Sequence, residues 1–260
     1  MARRRAAASD ANTSEDALFG GRVRFFQPAP GRGYRANVDA ILLAAFSTRA
    51  NRVARLAIDL GAGAGAVGLS LLYRGTAERV AFVERDQVLA SLCRRNLEAN
   101  RLAPRGSVYA GDLERTLASI APELVHAADL VVANPPYVAP HRDARARTEA
   151  RTSARRLARH GELLPFLRAA VDALGRRGRF CLCYPAHALL EVTTQARQTG
   201  LEPKRIRFVH GRAGRPARIA LVELSRAKAG GLVVEPPLVE TGDDGRQAPE
   251  LASLLLPVAE

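Results

Sequence analysis

Apolar positions along the chain fall into two periods. Short runs of four to six residues alternate with longer stretches whose apolar side chains recur every three to four. Val38 to Phe46 reads as a buried helix with Asn37 or Asp39 near its N-cap. Beyond it, the segments Arg55 to Leu60, Arg79 to Val83, Ser107 to Ala110 and Leu130 to Ala133 read as buried strands. Between them lie a helix ending at Tyr73 and an amphipathic helix from Gln87 to Asn100, with Leu89, Leu92, Cys93 and Leu97 at helical spacing. Glu162 to Leu174 predicts another helix, Arg179 to Tyr184 a strand and Ala186 to Gln198 a helix. Arg205 to His210 and Ala217 to Leu224 close the series, the second a candidate antiparallel strand. Such alternation predicts a doubly wound α/β domain, a mostly parallel seven-stranded sheet covered by helices on both faces.

The flanks are less regular. Residues 1–17 lack periodicity and predict a disordered basic arm. Residues 18–54 hold a Gly20-Gly21 turn, a short strand or hairpin over Arg22 to Gln27, and the first helix, as an extension before the main domain at 55–225. Residues 226–260 are rich in Pro and Gly and predict a tail packed on the body.

Composition narrows the class. A chain of 260 residues with 47% hydrophobic and 25% charged residues is that of a globular protein with a substantial core. No apolar run approaches the roughly 18 residues that cross a membrane. Met1-Ala-Arg-Arg-Arg5 is not followed by an apolar signal core, so a cytoplasmic location is expected. Cys93, Cys181 and Cys183 suit reduced thiols. Cys181 and Cys183 alternate on a strand and should face one packed layer; without nearby His or Cys ligands they hold no metal. The net charge is +13, with 39 basic against 26 acidic residues. Only Lys204 and Lys228 are lysines, so an arginine bias explains the choice of cation but not the excess. That excess favours a polyanionic partner, nucleic acid first.

The candidate chemistry sits at strand ends. Ile58-Asp59-Leu60-Gly61-Ala62-Gly63-Ala64-Gly65-Ala66-Val67-Gly68 is a strand, a glycine loop and a helix start. It lets backbone approach a ligand closely and aims amides at it. Glu84 follows about 20 residues later at the next strand's end, where a carboxylate can accept ribose hydroxyls. These two features alone fit a nicotinamide enzyme and an S-adenosylmethionine enzyme equally. Downstream, Gly111-Asp112-Leu113 ends the third strand, where Asp112 can receive an adenine amino group. Asn134-Pro135-Pro136-Tyr137 ends the fourth. Prolines donate no backbone hydrogen bond, so the sheet stops there, and a stiff turn fixes one amide and one aromatic ring.

Together these strand ends resemble class I S-adenosylmethionine-dependent methyltransferases, and Asn-Pro-Pro-Tyr resembles the subset that modifies planar nitrogens. The resemblance covers roughly residues 18–225. It implies S-adenosylmethionine as cofactor, held by Asp59, Gly61, Gly63, Gly65, Glu84, Asp112, Leu113 and Asn134. It also implies that Asn134, Pro135 and Tyr137 do the catalytic work. The Asn134 side-chain oxygen and the Pro135 carbonyl would accept the two N–H groups of an exocyclic amine, freeing its lone pair, while Tyr137 stacks on the base. No metal enters this chemistry. Arg147, Arg151, Arg155 and Arg159 lie four apart, so a helix would set all four on one face to meet an RNA backbone. Arg3 to Arg5, Arg22, Arg24, Arg35, Arg212, Arg215 and Arg218 are weaker candidates for that surface.

Further segments are similar to the bacterial tRNA1(Val) (adenine-37-N6) methyltransferase family. They are Gly33-Tyr-Arg-Ala-Asn-Val-Asp39, the Gly20 to Gln27 hairpin, Thr148-Glu-Ala-Arg151 and Leu232-Val-Val-Glu-Pro-Pro237. Val38 departs from that family, which usually has Thr there, so no cofactor contact is assigned to Val38 and Asp39 is expected only to cap the helix. The rivals are a release-factor glutamine methyltransferase and a ribosomal guanine-N2 methyltransferase, both of which normally carry larger amino-terminal domains. A non-catalytic nucleic-acid-binding protein would be expected to have damaged motifs, and a nicotinamide oxidoreductase leaves Asn-Pro-Pro-Tyr unexplained. The expected substrate is therefore RNA, best a tRNA, methylated at adenine N6.

Overall fold

The computed structural model describes residues 12–32, 38–136 and 163–256. Its centre is one sheet of nine strands: β3 (Ala54–Leu60), β4 (Ala77–Glu84), β5 (Gly106–Ala110), β6 (Ala128–Ala133), β7 (Leu174–Pro185), β8 (Glu202–Arg212), β9 (Ala217–Ser225), β10 (Val233–Val234) and β11 (Leu238–Thr241). The order is β10-β8-β9-β7-β6-β3-β4-β5, with β11 also paired to β8. All pairings are parallel except those of β9, which runs antiparallel to both β7 and β8. The chain winds outward from β3 to β5 and then returns to β6 on the other side of β3. The ends of β3 and β6 thus flank a topological switch point, where a doubly wound sheet opens a crevice.

Side-chain alternation builds the two layers. Val132, Cys181, Cys183 and Leu221 face one core, with α1 (Val38–Ser47), α2 (Ala66–Tyr73) and α3 (Gln87–Ala99) packed on that side. Val131, Ala133, Phe180, Leu182 and Val222 face the other, under α4 (Leu117–Ile120), α5 (Leu163–Ala173) and α6 (Leu189–Gln198). Both cysteines of β7 do lie in one layer. Among the described residues no helix is long and apolar enough to cross a membrane.

Three expectations need correction. The sheet has nine strands, not seven, because the Pro- and Gly-rich end of the chain contributes β10 and β11 along β8 before α7 (Pro249–Leu255). Two- and four-residue strands at an edge carry no alternation to read. Thr13 to Ala17, assigned to the irregular arm, belongs to strand β1 (Thr13–Leu18), which pairs residue for residue with β2 (Val23–Pro28). Its polar sequence serves because the strand is fixed by backbone and by ions: Arg24 bonds Glu15 at 2.7 Å and Gln27 bonds Asp16 at 2.8 Å. Residues 1–11 lie outside the described residues. Finally, Asp39 does more than cap α1. It is fully buried and takes a two-pronged bond from Arg218 at 2.6 and 3.1 Å.

The hairpin's outer edge is occupied by α3. Asn96 and Asn100, one helical turn apart, each accept a backbone N–H of β2 and donate to a carbonyl of the same residue, Phe26 and Arg24 respectively. Two side-chain amides so complete an edge that would otherwise be left open.

The far end of α1 is held by arginines from the sheet. Arg179 donates to the Ser47 carbonyl and Arg205 to that of Phe46, meeting the unpaired carbonyls of a helix C-terminus. Both guanidinium groups, with Arg49, converge on Glu223, itself 3% exposed. Replacing Glu223 by Gln leaves Arg179 buried without its counter-charge. Urea unfolding of the Glu223→Gln variant is expected to lose about 3–5 kcal/mol; a loss below about 1 kcal/mol would show that this cluster holds nothing together.

Candidate functional site

The glycine loop joins β3 to α2, and its shape depends on the absence of side chains. Gly65 precedes α2 with φ of 91°, and a Cβ there would stand 2.7 Å from the Cys93 sulfur. Gly68 lies in the first turn of α2, where a Cβ would meet the Phe82 ring at 2.2 Å. Without those atoms α2 packs directly on β4. The loop start is fixed to the next strand, since the Gly61 and Ala62 amides donate to the Val83 carbonyl at 2.8 and 3.0 Å.

Two buried carboxylates receive one amide of the loop and one of the first turn of α2. Asp59 Oδ2 accepts from Gly68 N at 2.8 Å, and Glu84 Oε2 accepts from Gly63 N at 2.7 Å. Glu84 Oε1 also accepts from Asp86 N at 2.8 Å, and Asp86 in turn caps α3. Burial is the main force on Asp59: it raises the carboxyl from its ordinary 3.8 to about 7, partly countered by the Gly68 amide and reinforced by the nearby Glu84. The Cys93 thiol beside the loop is likewise pushed up by burial.

A narrow cavity opens at the switch point, lined by Ala40, Asp59, Gly61, Ala62, Ala64, Ala66, Val67 and Asn134. Asn134, half-buried, follows β6 directly, and the buried Pro135 comes next. Asn134 Oδ1 is buried and has no hydrogen-bond partner among the described residues. An orphaned acceptor of this kind costs about 1–3 kcal/mol unless a ligand brings a donor. The site therefore fits a polar ligand that carries N–H groups against the glycine loop.

Of the residues expected from sequence, Asp59, Gly61 and Asn134 line this cavity together, and Glu84 joins them through Gly63. Asp112 and Leu113 do not line it. Asp112 stands beyond β5, half-exposed, accepting from Glu114 N at 3.1 Å with Arg85 at 3.9 Å. Leu113 packs against the second core. Tyr137, Arg147, Arg151, Arg155 and Arg159 lie outside the described residues.

Two contributors were not foreseen. Ala40 enters the cavity because the Asp39–Arg218 pair anchors the start of α1, and nothing in its own side chain signals this. Asn96 also donates to the Ala64 carbonyl at 2.9 Å, linking the amino-terminal hairpin to the glycine loop. Its signal was present: a polar residue at the spacing of Leu89, Leu92 and Cys93, on the buried stripe of α3.

Comparison with known proteins places the chain among methyltransferases. A family model described as "Methyltransferase small domain" matches residues 36–175. Two curated relatives, the tRNA1(Val) (adenine(37)-N6)-methyltransferases of Yersinia pestis (strain Pestoides F) and Yersinia pseudotuberculosis serotype O:1b (strain IP 31758), are each 28% identical over 235 residues. Each alignment spans 89% of this chain and 90% of the relative. Among solved structures, a predicted O-methyltransferase from Agrobacterium tumefaciens has a TM-score of 0.61 at 26% identity, covering 85% of this chain and 99% of that one. TYW2 of M. jannaschii, solved in complex with AdoMet, has a TM-score of 0.54 at 14% identity over 83% and 87% of the two chains, a likeness of fold.

Burial holds the folded-state value of Asp59 above the unfolded one, so the folded chain keeps this proton to higher pH. The group's contribution to stability is complete below about pH 4 and is lost as pH rises through 7. The loss is of the order of 4 kcal/mol at about 1.4 kcal/mol per pK unit. Asp59→Asn, which keeps an acceptor for Gly68, is expected to flatten the fall in urea stability between pH 4 and 8. Parallel curves for the two proteins would refute the assignment.

Proposed function

The chain belongs to the methyltransferase small domain family, and on that premise we propose that it methylates adenine N6 of RNA, with tRNA1(Val) as the substrate. The observation that carries this reading is the buried, unpaired Oδ1 of Asn134 at the switch point, placed on a proline-stiffened turn. A single acceptor held there, followed by the carbonyl of Pro135, matches the two N–H donors of an exocyclic amine. That amine is a poor nucleophile because its lone pair is delocalised into the ring. Hydrogen bonds from both N–H groups to Asn134 and Pro135 draw the nitrogen out of conjugation and aim the lone pair. Catalysis by these residues is positioning and electrostatics. A strong base is not needed, because the nitrogen's proton becomes acidic once it is alkylated.

S-adenosylmethionine is the cofactor, and it supplies a methyl group on a positively charged sulfur. In this reading the loop of Gly61, Gly63 and Gly65, with Asp59, holds its amino-acid end, and Asn134 is left to face the substrate amine. Each Glu84 oxygen that accepts a backbone amide retains a second lone pair for a ribose hydroxyl. Asp112 and Leu113, one strand further on, take the adenine. Tyr137 stacks on the target base, worth roughly 1–3 kcal/mol, and Arg147, Arg151, Arg155 and Arg159 meet the RNA backbone. The proposal carries a cytoplasmic location with it.

RNA is favoured over a glutamine side chain by the net charge of +13 and by the names of the relatives. Incubation with methyl-labelled S-adenosylmethionine and, separately, bulk tRNA, rRNA, DNA and release factor tests the proposal. Label is expected in tRNA as N6-methyladenine; label confined to guanine or to a protein glutamine would overturn it. Asn134→Ala is expected to lower kcat by about 10²–10³-fold while calorimetry finds cofactor affinity within about twofold. Full activity in that variant would remove Asn134 from the chemistry.

A further inference from the structure

We propose that the β8–β9 hairpin carries a phosphate-binding site, formed by Arg212 and Arg215, that grips the backbone of the RNA substrate outside the catalytic crevice. This inference rests on the reading of RNA as the substrate. The hairpin lies at the catalytic edge of the sheet. Because β9 is antiparallel, its first residues stand beside the end of β7, with Ile219 opposite Pro185, just as Ala133 before Asn134 stands opposite Leu182. Asn134 and the hairpin are two strands apart at about 4.8 Å per strand, and the hairpin projects further outward. A chain whose base sits at Asn134 therefore passes it within a few nucleotides.

The hairpin presents an open hollow of about 640 Å³ lined by Gly211, Arg212, Arg215, Pro216 and Arg218. Its three arginines divide into two kinds. Arg218 is spent on protein: it bonds Asp39 at 2.6 and 3.1 Å and Glu240 at 2.6 and 3.1 Å. Arg212 and Arg215 are exposed, and among the described residues neither forms an ion pair. Arg24, Arg197, Arg205 and Arg207, in contrast, all rest on carboxylates. Counting Asp39 and Glu240 against the three arginines, the hairpin keeps a net positive charge.

The turn is also braced, which separates it from an ordinary arginine on a loose surface. Arg218 bolts the start of β9 to α1 and β11. His210 Nδ1 lies 2.6 Å from the Arg215 carbonyl; a carbonyl only accepts, so Nδ1 carries the proton. Arg215 N donates to the Arg212 carbonyl at 3.3 Å across the turn. A planar, always-charged fork held on a rigid turn suits a phosphodiester oxygen pair. Among the described residues nothing fills the space above Gly214 and only Glu240, paired with Arg218, approaches Gly211, so a backbone can come close.

The test compares the intact chain with the Arg212→Ala/Arg215→Ala double variant. Anisotropy with a labelled tRNA transcript is followed between 50 and 200 mM salt, about the range over which phosphate contacts show. Loss of two single-strand phosphate contacts should make the slope of log affinity against log salt shallower by about 1.4. The KM for tRNA should rise by about tenfold or more, with kcat at saturating tRNA and cofactor affinity within about twofold; Arg212→Lys/Arg215→Lys should restore most of the slope. An unchanged slope and KM in the alanine variant, while the parent methylates tRNA, would overturn this inference and leave the proposed function standing. A parent that neither binds nor methylates RNA but labels a protein glutamine would overturn both.

Discussion

The amides of Gly63 and Gly68 end on carboxylates that the fold has buried, and the rest of the site depends on this. Asp59 stands one residue before the end of β3 and Glu84 closes β4, so adjacent strand ends reach the first turn of α2 and the loop before it. Hydrogen bonds to charged acceptors of this kind are stronger than neutral ones, and here they set where the loop runs. Glu84 extends the arrangement by holding Asp86, which starts α3, and α3 then returns through Asn96 to the Ala64 carbonyl. The loop is thus fixed from two strands and a helix. Burial works against this by favouring the neutral form of Asp59, which keeps that carboxyl near half-protonated at neutral pH. A site that receives a charged ligand gains from a neighbour whose charge can adjust.

Most of the arginine whose partners are visible is structural. Arg179 and Arg205 finish the C-terminus of α1, Arg218 anchors its start, Arg52 and Arg105 donate to main-chain carbonyls, and Arg207 holds α7 to β8 through Glu250. Because α1 is tied at both ends to the sheet, Ala40 is carried to the cavity wall without any contact of its own to direct it. The +13 net charge is therefore a mixture. Part of it braces the fold, and arginines such as Arg212 and Arg215, which have no counter-ion among the described residues, are available to an outside polyanion.

The core and the crevice were legible because both rest on short-range patterns. Short, nearly continuous apolar runs marked the strands that build the central sheet, glycine density marked the β3–α2 turn, and two prolines marked the end of β6. Where the sequence was silent, long-range partners decided the structure. Thr13-Ser-Glu-Asp becomes a strand because Arg24 and Gln27 supply partners for its carboxylates. Val233 and Val234 become a strand because β8 offers an open edge. Asp39 reads locally as a helix cap, and only the approach of Arg218, 179 residues away, makes it a buried ion pair. The strand-end acids were legible as residues but not as geometry: Asp59 lines the cavity, whereas Asp112 stands apart from it, half-exposed.

Asn134 carries the same lesson at the scale of one atom. A folded chain ordinarily pairs its buried acceptors, and Oδ1 could be satisfied by a small rotation toward solvent or by a neighbouring amide. Among the described residues, the two that follow remove those options. Pro135 and Pro136 have no N–H to offer, and their rings hold the backbone against relaxation. The strand before Asn134 is buried on both faces, which fixes where the side chain begins. An unpaired acceptor kept in a rigid frame at a topological switch point is stable only because the surrounding fold over-determines it. The energy spent there returns when a donor arrives.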